Sequence, residues 1–129
     1  MRKLVPLVLL VALGAGCGRG GQPLLSHGKT VDHWLEALKD RDPAKRKKAV
    51  TALGHVGTAD PAAIPAVAGA LQDSDPRVRA EAALALLNIG PAANDAVPAL
   101  EAAKNDKDAT VRSYVQKALE HIQVNPIKD

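Results

Sequence analysis

The stretch Asp75-Pro76-Arg77-Val78-Arg79-Ala80-Glu81-Ala82-Ala83-Leu84-Ala85-Leu86-Leu87-Asn88-Ile89-Gly90 decides the fold. Val78, Ala82, Leu86 and Ile89 fall at i, i+4, i+8 and i+11, which places them on one face of an α-helix. Asp75 stands where an N-cap belongs, and Pro76 occupies the first helical position, where its missing N–H does no harm. Gly90 then supplies a left-handed stop. The segment reads as one complete amphipathic helix with both ends marked.

Working outward, the same pattern returns every 33 residues, at Asp42, Asp75 and Asp108. Laying residues 42–74 over 75–107 without gaps superposes Asp42 on Asp75, Pro43 on Pro76, Arg46 on Arg79, Leu53 on Leu86, Gly57 on Gly90 and Pro65 on Pro98. Several alanines match as well. The third copy keeps Asp108, Arg112, Ala118 and Leu119, and Val111, Val115, Leu119 and Ile122 restore the apolar spacing. A fixed period of this size defines a solenoid. After each such helix a second one is expected near Pro65 or Pro98, carrying Ile64, Val67 and Leu71, or Val97 and Leu100. Val31, Trp34 and Leu38 hold the equivalent positions one period upstream, so Trp34 reads as a core anchor at the N-terminal end. Six helices follow, opening with a second-type helix at about 31–39 and closing with a first-type helix at about 109–122. The expected class is all-α: a two-layer, right-handed α-solenoid of about three 33-residue helical hairpins over residues 30–123, with a tail at 124–129.

Composition agrees. Hydrophobic residues make up 47% of the 129, 24 residues are Ala, and the only Trp and Tyr are Trp34 and Tyr114, with no Phe. Alanine is the strongest helix former, whereas a β-sandwich would call for β-branched and aromatic runs.

The N-terminus carries an address. Met1-Arg2-Lys3 is a positive n-region, Leu4 to Leu13 is apolar, and Gly14-Ala15-Gly16 leads to Cys17, the order of a secretory signal. The uncharged run from Leu4 to Gly18 is shorter than the ~20 residues a membrane-spanning helix needs. Cys17 is the only cysteine, so no intramolecular disulfide can form. Residues 1–16 are therefore read as a signal peptide, and 17–29, with Gly18, Gly20, Gly21, Pro23 and Gly28, as a flexible tether. Losing Arg2 and Lys3 lowers the formal charge from +3 to +1, too little for a broad nucleic-acid footprint.

Two family resemblances enter here. The small residues before Cys17 resemble the lipobox of bacterial lipoproteins, although Gly14 stands where that family prefers Leu. The resemblance implies lipidation of Cys17 and an exported protein, periplasmic or at the cell surface, held to a membrane by its lipid. The repeat is similar to the HEAT family in its short bacterial form, through Asp75 to Gly90 and then Ala96-Val97-Pro98-Ala99-Leu100, over about 31–122. Lys45 replaces the Val of the other copies, and Gln123 replaces the stop glycine. This resemblance implies a protein–protein scaffold binding along the surface of its second helices. Here that surface comprises Asp32, Glu36 and Lys39, then Ala68, Gly69 and Gln72, then Glu101, Ala102 and Asn105. It also implies an Asp–Arg ladder tying units together; i,i+4 spacing pairs Asp42 with Arg46, Asp75 with Arg79 and Asp108 with Arg112.

No catalytic constellation emerges. HEAT-type enzymes with paired His-Glu iron ligands have no counterpart, since the chain contains no His-Glu dipeptide. His55 and His121 sit two residues before a helix stop, where an imidazole meets the last carbonyls. No P-loop is present, and the glycines of Gly18-Arg19-Gly20-Gly21 follow no strand, so they open no dinucleotide-binding turn. The reading is a non-enzymatic interaction module with no cofactor, no metal, no nucleic acid and no small-molecule substrate, its partners being another protein and the membrane. The alternative is a cytoplasmic HEAT-type lyase-like or nucleic-acid-binding protein. Lys45-Arg46-Lys47-Lys48, the one basic run, reads as a solvated helix face or a contact for anionic lipid. Finally, the last helix has no second helix after it. It is expected to leave apolar area open near Tyr114, Val115 and Ile122, as a site of association, unless Val124 and Ile127 fold back over it.

Overall fold

The computed structural model describes residues 25–124. The signal segment 1–16, Cys17, the tether as far as residue 24 and the tail 125–129 lie outside them.

Six α-helices run in order: α1 (Val31–Ala37), α2 (Pro43–Val56), α3 (Ala63–Gly69), α4 (Pro76–Ile89), α5 (Val97–Ala102) and α6 (Ala109–Val124). The long helices α2, α4 and α6 form one layer, and the short α1, α3 and α5 form the other. Single 3-10 stretches, Ala70–Gln72 and Gly90–Ala96, extend α3 and precede α5. The caps fall where the repeat put them. Asp42 accepts from the Ala44 N–H at 2.9 Å, Asp75 from Arg77 at 2.8 Å and Asp108 from Thr110 at 2.8 Å, satisfying N–H groups that an α-helix leaves orphaned at its start.

Between the layers lies a core of Val, Leu, Ile and Ala. Leu53, Leu86, Leu100 and Ile122 are fully buried, as are Ala49, Ala52, Ala82 and Ala118. Small residues set the spacing of the long helices. A Cβ added at Gly54 would lie 2.8 Å from the Ala85 Cβ, and one at Gly57 would lie 2.6 Å from the Ile89 Cδ1. The Ala85 Cβ cannot give way, so Gly54 is required by the approach of α4, whereas only the flexible tip of Ile89 crowds Gly57. The Gly57 φ of −60° is ordinary helix rather than the left-handed stop expected of it. Gly90 does have a positive φ, 71°, and there a side chain would be strained.

Residues 25–29 depart from the tether reading. Leu25–Ser26 (β1) and Lys29–Thr30 (β2) form an antiparallel pair, Leu25 opposite Thr30 and Ser26 opposite Lys29. The two-residue turn between them is His27-Gly28, with φ of 52° and 72°, the sign pattern of a type I′ hairpin turn. The hairpin is fastened to the domain by Trp34, whose indole N–H donates to the Ser26 carbonyl at 3.0 Å while its ring is buried.

The far end also departs from expectation. Val115 and Ile122 are fully buried, Tyr114 is half-buried, and only Val124 of this set is strongly exposed. The apolar stripe of α6 is spent on α4, α5 and the 3-10 stretch before α5. What α6 turns outward is polar: Arg112, Gln116, Glu120 and Gln123.

Candidate interaction surface

The ladder exists, with different acids. Arg46 donates through Nε and Nη2 to both oxygens of Asp73, at 2.8 and 2.9 Å, and Arg79 does the same to Asp106 at 2.9 and 3.2 Å. Each third nitrogen, Nη1, reaches back to the loop before its own helix: Arg46 to the Asp40 carbonyl at 2.9 Å, Arg79 to that of Asp73 at 2.8 Å, and Arg112 to that of Asp106 at 2.7 Å. The predicted partners Asp42, Asp75 and Asp108 are occupied instead as helix caps. Their carboxylates lie at the helix start facing backbone N–H groups, while the guanidinium extends toward the next loop. Asp75 also takes a forked bond from exposed Arg77, at 3.0 and 2.8 Å.

Asp73 and Asp106 each accept a backbone N–H two residues on, at 2.9 Å. Burial pushes both carboxyls up, but arginine and backbone hydrogen bonds outweigh it and hold both below the usual carboxylate range. Asp75 is held at about 2 by the side-chain and backbone hydrogen bonds from Arg77. Arg112 faces no carboxylate within ion-pair distance among the described residues.

With its long helices locked in this way, the short helices present a seam. Between α3 and the second-layer pieces of the next unit lie two open depressions. Pro61, Ile64, Pro65, Ala68, Ala92, Asp95 and Ala96 line one of about 310 Å³. Leu71, Gln72, Ala99, Ala102, Ala103, Asn105 and Asp106 line the other, of about 300 Å³. The structure thus brings Gln72, Ala102 and Asn105 together and puts Ala68 further along the same seam. Other residues of the predicted surface lie elsewhere. Glu36, exposed and paired with Lys39 at 2.8 Å, borders a depression at the N-terminal end. Glu101 pairs with Lys104 at 3.2 Å and borders the α6 end with Arg112, Gln116 and Glu120. Asp32 and Gly69 are exposed and line none of these. Tyr114 is packed on the core with the Lys117 ammonium 5.9 Å from its ring. Of the residues lining the first depression, Ala68 was expected on the surface and Pro65 was legible only as a helix start; Pro61, Ile64, Ala92, Asp95 and Ala96 were not expected there.

The histidines are used structurally. His121 Nδ1 lies 3.1 Å from the Leu87 carbonyl, so it serves the end of the preceding long helix, α4, rather than its own. His55, the equivalent residue of α2, meets the His27 ring of the hairpin at 5.6 Å. His27 and His33 both stand edge-on to Trp34, at 6.1 and 5.0 Å. Among the described residues no group of three or more His, Cys, Asp or Glu is placed to hold a metal ion.

Repeated helical hairpins joined by a part-buried Arg–Asp ladder define a helical repeat protein. The HEAT-repeat profile matches residues 31–120, and the chain belongs to the HEAT-repeat family. A search of curated proteins gives no match. Among solved structures the chain is similar to an engineered protein determined by the Northeast Structural Genomics Consortium, with a TM-score of 0.62 and 25% identity. The match covers 74% of this chain and 46% of that one, so this chain spans under half the length of its structural neighbour.

Proposed function

We propose that the protein is a non-enzymatic protein-interaction module, exported and held at a membrane through a lipidated Cys17. HEAT repeats generally mediate protein–protein binding, which is the coarse reading the family supports. The observation that carries the finer one is the seam along α3 and α5. Its two depressions are each sized for one or two side chains, with Ile64 and proline at one end and the amide groups of Gln72 and Asn105 at the other. Apolar floors with a few convergent polar groups suit a bound segment of another protein. Export and anchoring are supported by the order of residues 1–17: basic, apolar, small, cysteine.

A photo-crosslinking residue placed at Ala68 or at Asn105 in cells is expected to capture the same partner from both sites and not from Lys107. Capture that is absent, or equal at Lys107, overturns the seam. Membrane fractionation addresses the anchor separately: Cys17→Ala is expected to release protein that wild type retains, and equal release of both defeats the lipid.

A further inference from the structure

The molecule is electrically polarised along its stack. Residues 25–57 carry seven Lys and Arg against four Asp and Glu, whereas residues 58–124 carry six against nine. Part of the positive excess converges on one place. Lys29 of β2, His33 of α1, and Lys45 and Lys48 of α2 border an open depression of about 500 Å³ beside Trp34. Its two carboxylates are already engaged: Glu36 by Lys39 at 2.8 Å, and Asp40 by the Asp42 N–H at 2.8 Å and by Lys45 at 3.5 Å. Among the described residues neither Lys29 nor Lys48 has an ion-pair partner; the Lys29 ammonium lies 5.7 Å from the Trp34 ring. The described chain begins at exposed Leu25, in the strand paired with the one that carries Lys29.

We propose that this end of the molecule, with Lys29, Lys45 and Lys48 around the Trp34 depression, docks on the anionic head groups of a lipid bilayer. The hairpin end of the stack then meets the membrane and the α6 end points away from it. The proposal deepens the anchoring reading and rests on it, because an anchor at Cys17 keeps this end within reach of the surface. The chemistry favours lipid over other anions. Lysines on flexible stems act as point charges suited to a diffuse anionic surface, whereas selective phosphate recognition favours planar, forked donors. Trp34 is 4% exposed, so it offers no face on which a nucleic-acid base could stack. Each basic side chain near an anionic leaflet strengthens binding roughly fivefold. The effect decays over about 8 Å at physiological salt.

The test uses the full chain on vesicles of neutral phosphatidylcholine and on vesicles that also contain phosphatidylglycerol, with amine labelling of every lysine read by mass spectrometry. Labelling of Lys29, Lys45 and Lys48 is expected to fall several-fold on the anionic vesicles relative to the neutral ones, while Lys104, Lys107 and Lys117 hold steady. High salt is expected to abolish the difference. Lys29→Glu, Lys45→Glu and Lys48→Glu combined are expected to remove roughly a hundredfold of the preference for anionic vesicles. Binding to both vesicle types with one labelling pattern overturns the docking face and leaves the anchor standing. Binding to anionic vesicles alone, with these three lysines protected, keeps the face and defeats the anchor. Binding to neither defeats both, and tighter binding of the face to duplex DNA than to anionic vesicles reassigns it.

Discussion

The two ends of the stack meet the same physical demand in different ways. A repeat unit cannot bury its apolar face alone, so the first and last described units differ from the inner ones in what covers their outer faces. At the N-terminal end the cover is an added structure. The β1–β2 hairpin covers part of α2, fastened by the Trp34–Ser26 hydrogen bond, and His27 meets His55 where His121 meets the end of α4 at the other boundary. At the C-terminal end nothing is added among the described residues, and the helix surface itself changes. The positions that bring α2 against α4, and α4 against α6, are Gly54 and Gly57, then Leu87 and Gly90. In α6 the same positions are Glu120 and Gln123, both exposed. One end is covered, and the other is made fit for water. The lesson is that an apolar stripe in the last helix does not imply an open apolar end, because the stripe points inward and the outward positions are separately chosen.

The strongest way to break this comparison is to remove the N-terminal cover. Trp34→Ala deletes a buried indole and leaves the Ser26 carbonyl without its donor, and it is expected to lower stability by about 3–5 kcal/mol. Chemical denaturation measures it; a loss no greater than that of Glu120→Ala would mean that the hairpin end is not a structural cap.

Next in size is the contrast between interior and terminal arginines. Arg79 is 6% exposed and holds Asp106 through two bonds, so Arg79→Ala is expected to cost about 3 kcal/mol by stranding that carboxylate. Arg112, equivalent in sequence but exposed, bonds only the Asp106 carbonyl, and Arg112→Ala is expected to cost well under half as much. Equal losses in thermal melts would show that the ladder is not what the interior arginine contributes.

Acid sharpens the same point. The Asp73 and Asp106 carboxyls are held below their ordinary value of 3.8, so the native state holds its protons less tightly than the unfolded one. The stability this gives is fully present above the unfolded value and is lost progressively as pH falls below it. Asp73→Asn with Asp106→Asn keeps an oxygen for each backbone N–H but removes the titration. The double variant is expected to start less stable at neutral pH and to lose less on acidification. A parallel acid limb in the variant would place the acid sensitivity elsewhere.

The smallest effect is expected at the polar end. Gln116→Leu with Glu120→Leu is expected to shift stability by no more than about 0.5 kcal/mol per site, since neither side chain is buried. The same pair is expected to make the protein associate at high concentration by restoring an apolar outward face. Sedimentation velocity reads this directly; a variant that stays monomeric at the highest concentrations would separate the polar face from any capping role.

Much of this architecture was legible because the period, the N-caps and the apolar spacing all state the same thing. The ladder was legible in its arginines and not in its acids. Each inter-unit turn contains two aspartates, Asp40 and Asp42, Asp73 and Asp75, Asp106 and Asp108, and both sets recur at 33 residues. Helical spacing selects the second of each pair, but the cap claims that carboxylate, and the guanidinium goes to an acid 27 residues away. The recurrence of Asp73 at Asp106 was the available signal. The hairpin was hidden for a different reason: two residues per strand are too few for alternation, and glycine-rich surroundings mask the His27-Gly28 turn. The seam shows the same limit, since small residues and prolines describe a surface only once two helices are set side by side.

The ladder carries one further consequence. Arg46 and Arg79 each offer two nitrogens forward and one backward, and Asp73 and Asp106 present the same acceptors to them. The coupling is therefore indifferent to ordinal position. Excising residues 42–74 would bring Arg79 against the Asp40 turn as it now meets the Asp73 turn, and duplicating them would repeat the Arg46–Asp73 bond unchanged. What the coupler requires is phase: the 33-residue spacing fixes which turn each guanidinium meets.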